Sequence, residues 1–167
     1  MALAKTTGVT VTGTAGSDSI SGGSAADNIS GGAGSDSING GNGNDTITGG
    51  SGADTITVGS GTDTITDLAS EDSLTISAGT ADVLVTTTTN FSSGFTITNN
   101  GGTLFLDANA ATAAVQITDA VGSDSITGSA GNDTILGGAG TDTINGGAGN
   151  DLLSAGGATN AVDGASG

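Results

Sequence analysis

The sequence contains no cysteine, proline, histidine, tryptophan or tyrosine, and three phenylalanines are its only aromatic residues. Without cysteine or histidine, the chain has no disulfide framework and none of the nitrogen or sulfur ligands that zinc prefers. The lack of histidine also excludes a Ser-His-Asp triad and a His-Glu-x-x-His metalloprotease helix, so we expect no enzymatic activity. With so few large side chains, any hydrophobic core of these 167 residues must be narrow.

Positive charge is almost absent, because Lys5 is the single basic residue beside 17 acidic ones. The formal net charge of −16 at pH 7 repels nucleic-acid phosphates and anionic membranes, so nucleic acid is not expected as a partner. A chain of this composition is predicted to be disordered unless cations neutralise its carboxylates.

Long hydrophobic runs are also missing. No segment approaches the roughly eighteen apolar residues that a membrane span requires, and residues 1–5 do not begin the apolar core of a secretory signal peptide. We therefore expect no membrane insertion and, if the protein is exported, a route that uses neither such a signal peptide nor an anchor.

The sequence does contain a nine-residue repeat, each unit carrying one aspartate and, two residues later, one isoleucine or leucine. The best copies are Gly-Gly-Asn-Gly-Asn-Asp-Thr-Ile-Thr at 40–48 and Gly-Gly-Ala-Gly-Thr-Asp-Thr-Ile-Asn at 137–145. The aspartates in register are Asp18, Asp27, Asp36, Asp45, Asp54, Asp63 and Asp72 in a first block and Asp124, Asp133, Asp142 and Asp151 in a second. So strict a period is typical of a repeat architecture.

Each unit divides into a turn and a short strand. The glycines allow the backbone to bend tightly with φ > 0. In the strand, alternation directs the isoleucine to one side and its Ser, Thr or Asn neighbours to the other. If each unit makes one strand and one turn, two units close a coil and residues eighteen apart stack. The pattern therefore predicts an all-β fold, a parallel β-solenoid.

Alternate aspartates of such a coil line opposite edges at about the 4.8 Å spacing of adjacent strands, where they repel each other unless a cation lies between them. Calcium suits this position because it is hard and takes roughly six to eight oxygen ligands, including backbone carbonyls. We therefore expect the eleven aspartates to bind several calcium ions. The backbone carbonyls expected to assist include those of Gly31, Gly40, Gly41, Gly43, Gly49, Gly137, Gly138, Gly140 and Gly146.

The Gly-Gly-x-Gly-x-Asp-x-Ile-x unit resembles the calcium-binding nonapeptide of the repeats-in-toxin (RTX) β-roll, over residues 13–75 and 119–154. The resemblance implies that the first six residues of each unit form a calcium-binding turn and the last three a strand. It implies that ions lie between turns stacked on one edge, with the eleven aspartates as ligands. It also implies a bacterial origin, type I secretion and folding in the millimolar calcium outside the cell.

Some units depart from the pattern. Residues 24–26 of the second unit are Ser-Ala-Ala and lack the third glycine, and the unit at 67–75 has no glycine at all. We therefore expect Asp27 and Asp72 to be the weaker ligands. Asp124 follows a turn with a single glycine, Gly122, which predicts a different turn there.

Six acidic residues lie outside the register, and we expect them on solvated loops. Three of them, Asp67, Glu71 and Asp119, flank the breaks in the repeat and are candidates for additional ion sites. The other three are Asp82, Asp107 and Asp163.

The repeat divides the chain into segments: an entry strand at 1–12, a first β-roll block at 13–75, a Thr/Val-rich β segment at 76–118, a second block at 119–163 and a tail at 164–167. The middle segment is calcium-poor, but apolar pairs persist through it. These pairs are Leu74/Ile76, Val83/Val85, Phe95/Ile97, Leu104/Leu106 and Val115/Ile117. A separate small β domain and a continuation of the solenoid in wider coils both fit. The nine-residue steps from Val11 to Ile20 and from Ile117 to Ile126 favour continuation.

Neither edge of the array has a capping helix or a proline to blunt it, which favours head-to-tail stacking of copies. The sequence thus predicts a secreted, calcium-dependent structural protein at the cell surface, in a surface layer, filament or biofilm matrix. Its expected partners are its own copies, with a cell-surface polysaccharide as a further candidate. The alternative is a calcium-stiffened module for adhesion that binds ice or a glycan.

Overall fold

The structure is a computed structural model that describes residues 6–68, 71–77, 96–109, 111–157 and 159–164, and residues 82–86 as backbone. Its regular elements are seventeen short strands. They are β1 (Thr10–Thr12), β2 (Ser19–Gly23), β3 (Asn28–Ala33), β4 (Ser37–Gly41), β5 (Thr46–Ser51), β6 (Thr55–Val58), β7 (Thr62–Ile65), β8 (Ser73–Ile76), β9 (Asp82–Thr86), β10 (Thr96–Asn99), β11 (Thr103–Asp107), β12 (Gln116–Asp119), β13 (Ser125–Thr127), β14 (Thr134–Leu136), β15 (Thr143–Asn145), β16 (Leu152–Ser154) and β17 (Ala161–Asp163). In the described part of the chain, no helix has the length and apolar character needed to cross a membrane.

Consecutive strands alternate between two parallel sheets. The odd-numbered strands form a nine-stranded sheet in the order β1 to β17, and the even-numbered strands form an eight-stranded sheet. In the first block, Ile20 pairs with Ile38 and Ile29 with Ile47, so residues eighteen apart stack. The predicted parallel β-solenoid of two nonapeptides per coil is therefore confirmed.

The core is one column of aliphatic side chains along each sheet. Each short strand contributes an interior residue flanked by outward polar ones, because side chains alternate along a strand. Burial of each aliphatic side chain stabilises the folded state by at most about 1.5–3 kcal/mol. The columns are Ile20, Ile38, Ile56, Leu74, Ile97, Ile117 and Ile135 in the eight-stranded sheet, and Ile29, Ile47, Ile65, Leu106, Ile126 and Ile144 in the nine-stranded sheet.

The strands between residues 76 and 118 lie in the same two sheets. Leu74 pairs with Ile97, and Ile97 with Ile117, so two successive coils there contain 23 and 20 residues. Leu104, Leu106, Val115 and Ile117 are buried. Phe95 and the side chains of Val83 and Val85 lie outside the described residues, and the segment boundaries themselves stay a prediction.

Stacked coils bring the turn backbones into close contact, which only glycine tolerates at certain positions. Gly34 has φ +120°, and a Cβ there would lie 2.7 Å from the carbonyl carbon of Gly16 in the coil below. Gly16 holds the same place in its own unit, but a Cβ on it would meet nothing within 4 Å. The requirement for glycine therefore comes from the coil beneath as well as from the turn.

This pair of glycines gives a matched test. We expect Gly34→Ala to lower the free energy of unfolding of the calcium-loaded protein by at least about 1–2 kcal/mol, because an L-residue at positive φ costs that much before the clash is added. Gly16→Ala should be close to neutral. Chemical denaturation in saturating calcium measures both, and equal effects of the two substitutions would contradict the stacking explanation.

Candidate calcium sites

The eleven in-register aspartates stand at the two edges where turns lead into strands. Asp45, for example, directly precedes β5, and Asp63 lies near the start of β7. In the first block, one edge carries the stack Asp27, Asp45 and Asp63, and the other carries Asp18, Asp36, Asp54 and Asp72. The second block repeats this arrangement, with Asp124 and Asp142 on one edge and Asp133 and Asp151 on the other.

One carboxylate oxygen of each stacked aspartate ties two coils together. Asp36 Oδ1 accepts the backbone N–H of Asp18 at 2.8 Å, and Asp45 Oδ1 accepts that of Asp27 at 2.9 Å. The same bond joins Asp45 to Asp63, Asp36 to Asp54, Asp54 to Asp72, Asp124 to Asp142 and Asp133 to Asp151. An ionised acceptor strengthens a hydrogen bond, so this ladder fixes the orientation of each carboxylate.

The second carboxylate oxygen, Oδ2, takes no part in this ladder. Within the described residues, Oδ2 is buried and has no hydrogen-bond partner in Asp27, Asp36, Asp45, Asp54, Asp63, Asp124, Asp142 and Asp151. A buried polar atom without a partner costs about 1–3 kcal/mol, and more when it carries charge. An arrangement repeated eight times at this cost indicates that a cation belongs beside these oxygens.

In six of these eight units, the first glycine keeps the space beside this oxygen open. A Cβ on Gly31 would meet both Asp36 Oδ2 and the carbonyl oxygen of Gly49 in the next coil, nearer than the 3.0 Å that real Cβ atoms keep. A Cβ on Gly22 would likewise meet Asp27 Oδ2 and the carbonyl of Gly40. A carboxylate oxygen and a carbonyl oxygen from successive coils thus face one small space.

Eight of the nine carbonyls named from the sequence fall into two sets. Those of Gly31, Gly40, Gly49 and Gly146 lie against the first glycine of the preceding coil. Those of Gly41, Gly43, Gly138 and Gly140 lie against glycines of the following coil. For Gly137, a Cβ would lie 3.0 Å from Asp142 Oδ2, which places its α-carbon beside that carboxylate.

This donor set fits calcium. Every candidate ligand is oxygen, and no three acidic side chains converge in the part of the chain that the structure describes, so carbonyls must complete each site. The ions would lie between stacked turns, where they would neutralise the carboxylates. Which oxygens hold them stays a prediction, as does the weaker binding at Asp27 and Asp72.

Two in-register aspartates have their Oδ2 engaged by a donor from their own turn, which the sequence analysis missed. Asp18 Oδ2 accepts Thr14 N–H at 2.6 Å, and Asp133 Oδ2 accepts Ser129 N–H at 2.7 Å. Thr14 and Ser129 replace the second glycine of their units, and their hydroxyls also donate to the same carboxylates. A hydroxyl residue at this position is the sequence signal for this arrangement.

Asn160 was also missed. It occupies the aspartate position of the last unit, nine residues after Asp151, and its Oδ1 accepts the N–H of Asp142 at 2.8 Å. Counting nine residues on from Asp151 in the sequence is enough to locate Asn160.

The expectation that the off-register acids lie on solvated loops is wrong for Asp67 and Asp119, which are not exposed. Asp82, Asp107 and Asp163 belong to strands β9, β11 and β17 and not to loops. Asp67 is half-buried and accepts the N–H groups of Gly49 and Gly50 at 2.7 and 2.9 Å. Asp119 ends β12 and is 6% exposed. Both occupy the first-glycine position of a unit, where the stacking of coils encloses any side chain.

Burial changes the acidity of the ladder. It raises the pKa of Asp45 and Asp54 above the ordinary value, that of Asp63 to about 6 and that of Asp119 to about 7. For Asp63, the N–H of Asp45 lowers the pKa in part, and the charge of Asp45 raises it again. Without calcium, the folded chain therefore resists ionisation of these groups.

The direction of these pKa shifts predicts that the calcium-free fold becomes less stable as pH rises. A carboxyl whose pKa is higher in the folded state than in the unfolded chain does not oppose folding below the unfolded value of 3.8, but opposes it increasingly as pH rises through the folded pKa. We expect the calcium-free protein to lose β structure between about pH 4 and pH 7. Saturating calcium should restore it at pH 7. Circular dichroism in calcium-stripped and calcium-containing buffers tests this, and a calcium-free fold that is equally stable at both pH values would contradict it.

Removing one ladder charge should weaken calcium binding. Asn at position 45 keeps an oxygen for the N–H of Asp27 but lacks the charge, so we expect Asp45→Asn to raise the calcium midpoint of folding at least about tenfold. Asp27→Asn should have a smaller effect, because its turn lacks the third glycine. Asp107→Asn, an exposed position outside the ladder, controls for net charge. Equal midpoints for Asp45→Asn and Asp107→Asn would contradict a ligand role for Asp45.

Comparison with known proteins identifies the repeat. The family model of the RTX calcium-binding nonapeptide repeat (4 copies) matches residues 10–38, 30–65, 120–153 and 136–167, which together span more than half of the chain. Neither the curated proteins nor the solved structures gave a match. RTX repeats bind calcium, and proteins that carry them are typically secreted. The chain therefore belongs to the RTX calcium-binding nonapeptide repeat family and binds several calcium ions.

Proposed function

We propose that this chain is a non-enzymatic structural protein of the extracellular space, which folds when calcium binds and then assembles with its own copies. The observation that carries the proposal is the set of eight buried Oδ2 atoms without a hydrogen-bond partner in the described residues. They make the folded state unfavourable without a cation and favourable with one.

Calcium binding and folding are one process in this proposal. The spaces between turns exist only when coils are stacked, so the binding free energy of each ion becomes folding free energy. Where free calcium is scarce, as inside a cell, the net charge of −16 keeps the chain unfolded and suited to export. Outside, the ions fold and stiffen it.

The ends of the solenoid supply the surface for assembly. β1 and β17 are the outer strands of the nine-stranded sheet, and β2 and β16 those of the eight-stranded sheet. Val162 continues the interior column above Ile144, yet it is 49% exposed. Adding β1 of a second copy onto β17 would cover it and continue the parallel pairing.

The second candidate is a calcium-stiffened adhesion module that binds ice or a glycan. Thr46 pairs with Thr64, and the hydroxyls of Thr48 and Thr66 lie 2.8 Å apart, which gives a small outward threonine array. The array is short, because the neighbouring coil presents Asn28 and Ser30 at these positions. The structural role therefore has the better support.

Assembly is tested with calcium and a charge placed at one end. We expect the wild-type protein to form elongated particles in calcium, seen by electron microscopy and light scattering, and to release them in chelator. Val162→Asp should abolish them while leaving the calcium-induced fold, since it puts a carboxylate in the interior column at the interface. Leu136→Asp, on the outer surface of β14, adds the same charge elsewhere and should assemble normally.

Two results would reject this function. The first is a protein that stays monomeric in calcium at all concentrations; glycan binding or thermal hysteresis by that monomer would support the adhesion module. The second is assembly of Val162→Asp at the wild-type concentration, which would exclude end-to-end stacking.

A further inference from the structure

Asp119 stands where the regular repeat has its first glycine. It ends β12, five residues before Asp124, just as Gly137 in the next coil precedes Asp142 by five. In the regular units this glycine leaves a space beside the ladder carboxylate. In this unit the carboxylate of Asp119 occupies that space, and only 6% of the residue is exposed.

The two oxygens of Asp119 have different surroundings. Asn99 stacks directly beneath Asp119, and its Nδ2 donates to Asp119 Oδ2 at 2.9 Å. The Asn99 amide is itself held, since its Oδ1 accepts the N–H of Gly101 at 3.0 Å. Asp119 Oδ1 is buried and has no hydrogen-bond partner within the described residues.

Asp124 presents a second such oxygen. Its Oδ1 accepts the N–H of Leu104 at 2.7 Å, while its Oδ2 is buried without a partner in the described part of the chain. In regular units the first-glycine position lies beside the Oδ2 of the aspartate five residues later, as Gly137 lies beside Asp142. Asp119 therefore faces Asp124, and the charge of Asp124 helps to raise the pKa of Asp119. The chain has one basic residue, Lys5, so no pairing with Arg or His is available to offset the two charges.

Asp67 shows that an aspartate in this position does not by itself leave an oxygen over. It occupies the same place in the unit at 67–75, but both its oxygens accept N–H groups, from Gly49 and Gly50. The coil below Asp119 has Asn99 and Gly101 at the corresponding turn, and no N–H from it reaches Asp119 Oδ1. The unpaired oxygen is therefore specific to Asp119.

We propose that Asp119 and Asp124 together bind one calcium ion at a site that the nonapeptide pattern does not contain. In a regular stack, the coil below contributes an aspartate, but below Asp124 that position is Leu104. Asp119 supplies the missing carboxylate from within its own turn. The carbonyl of Gly102 lies against Gly122, next to Asp124, and offers a further oxygen. An all-oxygen set with two carboxylates suits calcium, whereas zinc would favour nitrogen or sulfur.

The site would anchor the second block where the carboxylate column starts again. Ions of the regular units need stacked aspartates on successive coils, and the middle segment interrupts that stack. A two-carboxylate turn can bind its ion without an aspartate from the coil below. This inference concerns one site and does not depend on assembly of copies.

The test counts calcium ions on the full chain. Asp119→Asn and Asp119→Gly remove the carboxylate, and Asp119→Gly also restores the regular glycine, so it keeps the repeat even if the asparagine variant fails to fold. By equilibrium dialysis with radioactive calcium, we expect both variants to bind one ion fewer than wild type. Asp67→Asn is the matched control at the same repeat position and should keep the wild-type number of ions.

Circular dichroism in saturating calcium must accompany the count, so that lost ions are not confused with lost structure. A folded Asp119→Gly variant that binds the wild-type number of ions at the wild-type midpoint would overturn the proposal. Loss of one ion by Asp67→Asn as well would also overturn it, because the effect would then belong to any carboxylate at this position.

Discussion

The structure depends on one carboxylate arrangement repeated along its edges. In each stacked pair, one oxygen of the upper aspartate accepts the N–H of the aspartate eighteen residues earlier, and this bond ties consecutive coils together. The bond holds the second oxygen in a buried position between turns. Each aspartate therefore aligns two coils through one oxygen and, through the other, needs a cation. Calcium is the partner that makes this arrangement stable.

The narrow core explains why the ions matter so much. Each strand adds about one aliphatic side chain to the interior, and two thin columns cannot offset the ordering of a glycine-rich chain together with a net charge of −16. Glycine is costly to order, yet it is required, because turn backbones stack so closely that a Cβ at Gly34 would contact the coil below. The same closeness brings the carbonyl oxygens together that calcium needs.

Exceptions within the ladder show several ways of satisfying a buried carboxylate. Thr14 and Ser129 supply N–H and hydroxyl donors to Asp18 and Asp133. The turn glycines of the coil below supply two N–H donors to Asp67. At Asp119 only one oxygen finds a donor. Aspartates that look alike in the sequence therefore differ in how much they need a cation.

The sequence by itself determined the fold and the places of the ladder. The nine-residue spacing of aspartate and isoleucine is a local property, so the two-unit coil, the parallel sheets and the opposite edges follow from counting residues. The choice of calcium follows as well, since a chain rich in carboxylates and glycine carbonyls offers only oxygen.

Only the tertiary structure decided what each carboxylate meets. Many of its neighbours come from a coil 17 to 20 residues away, as with Gly50 beneath Asp67 and Asn99 beneath Asp119. Burial is likewise a property of the stack, which is why Asp119 lies inside and not on a loop. A spacing rule places residues along the chain, but the donors and acceptors around them are fixed only when the coils are stacked.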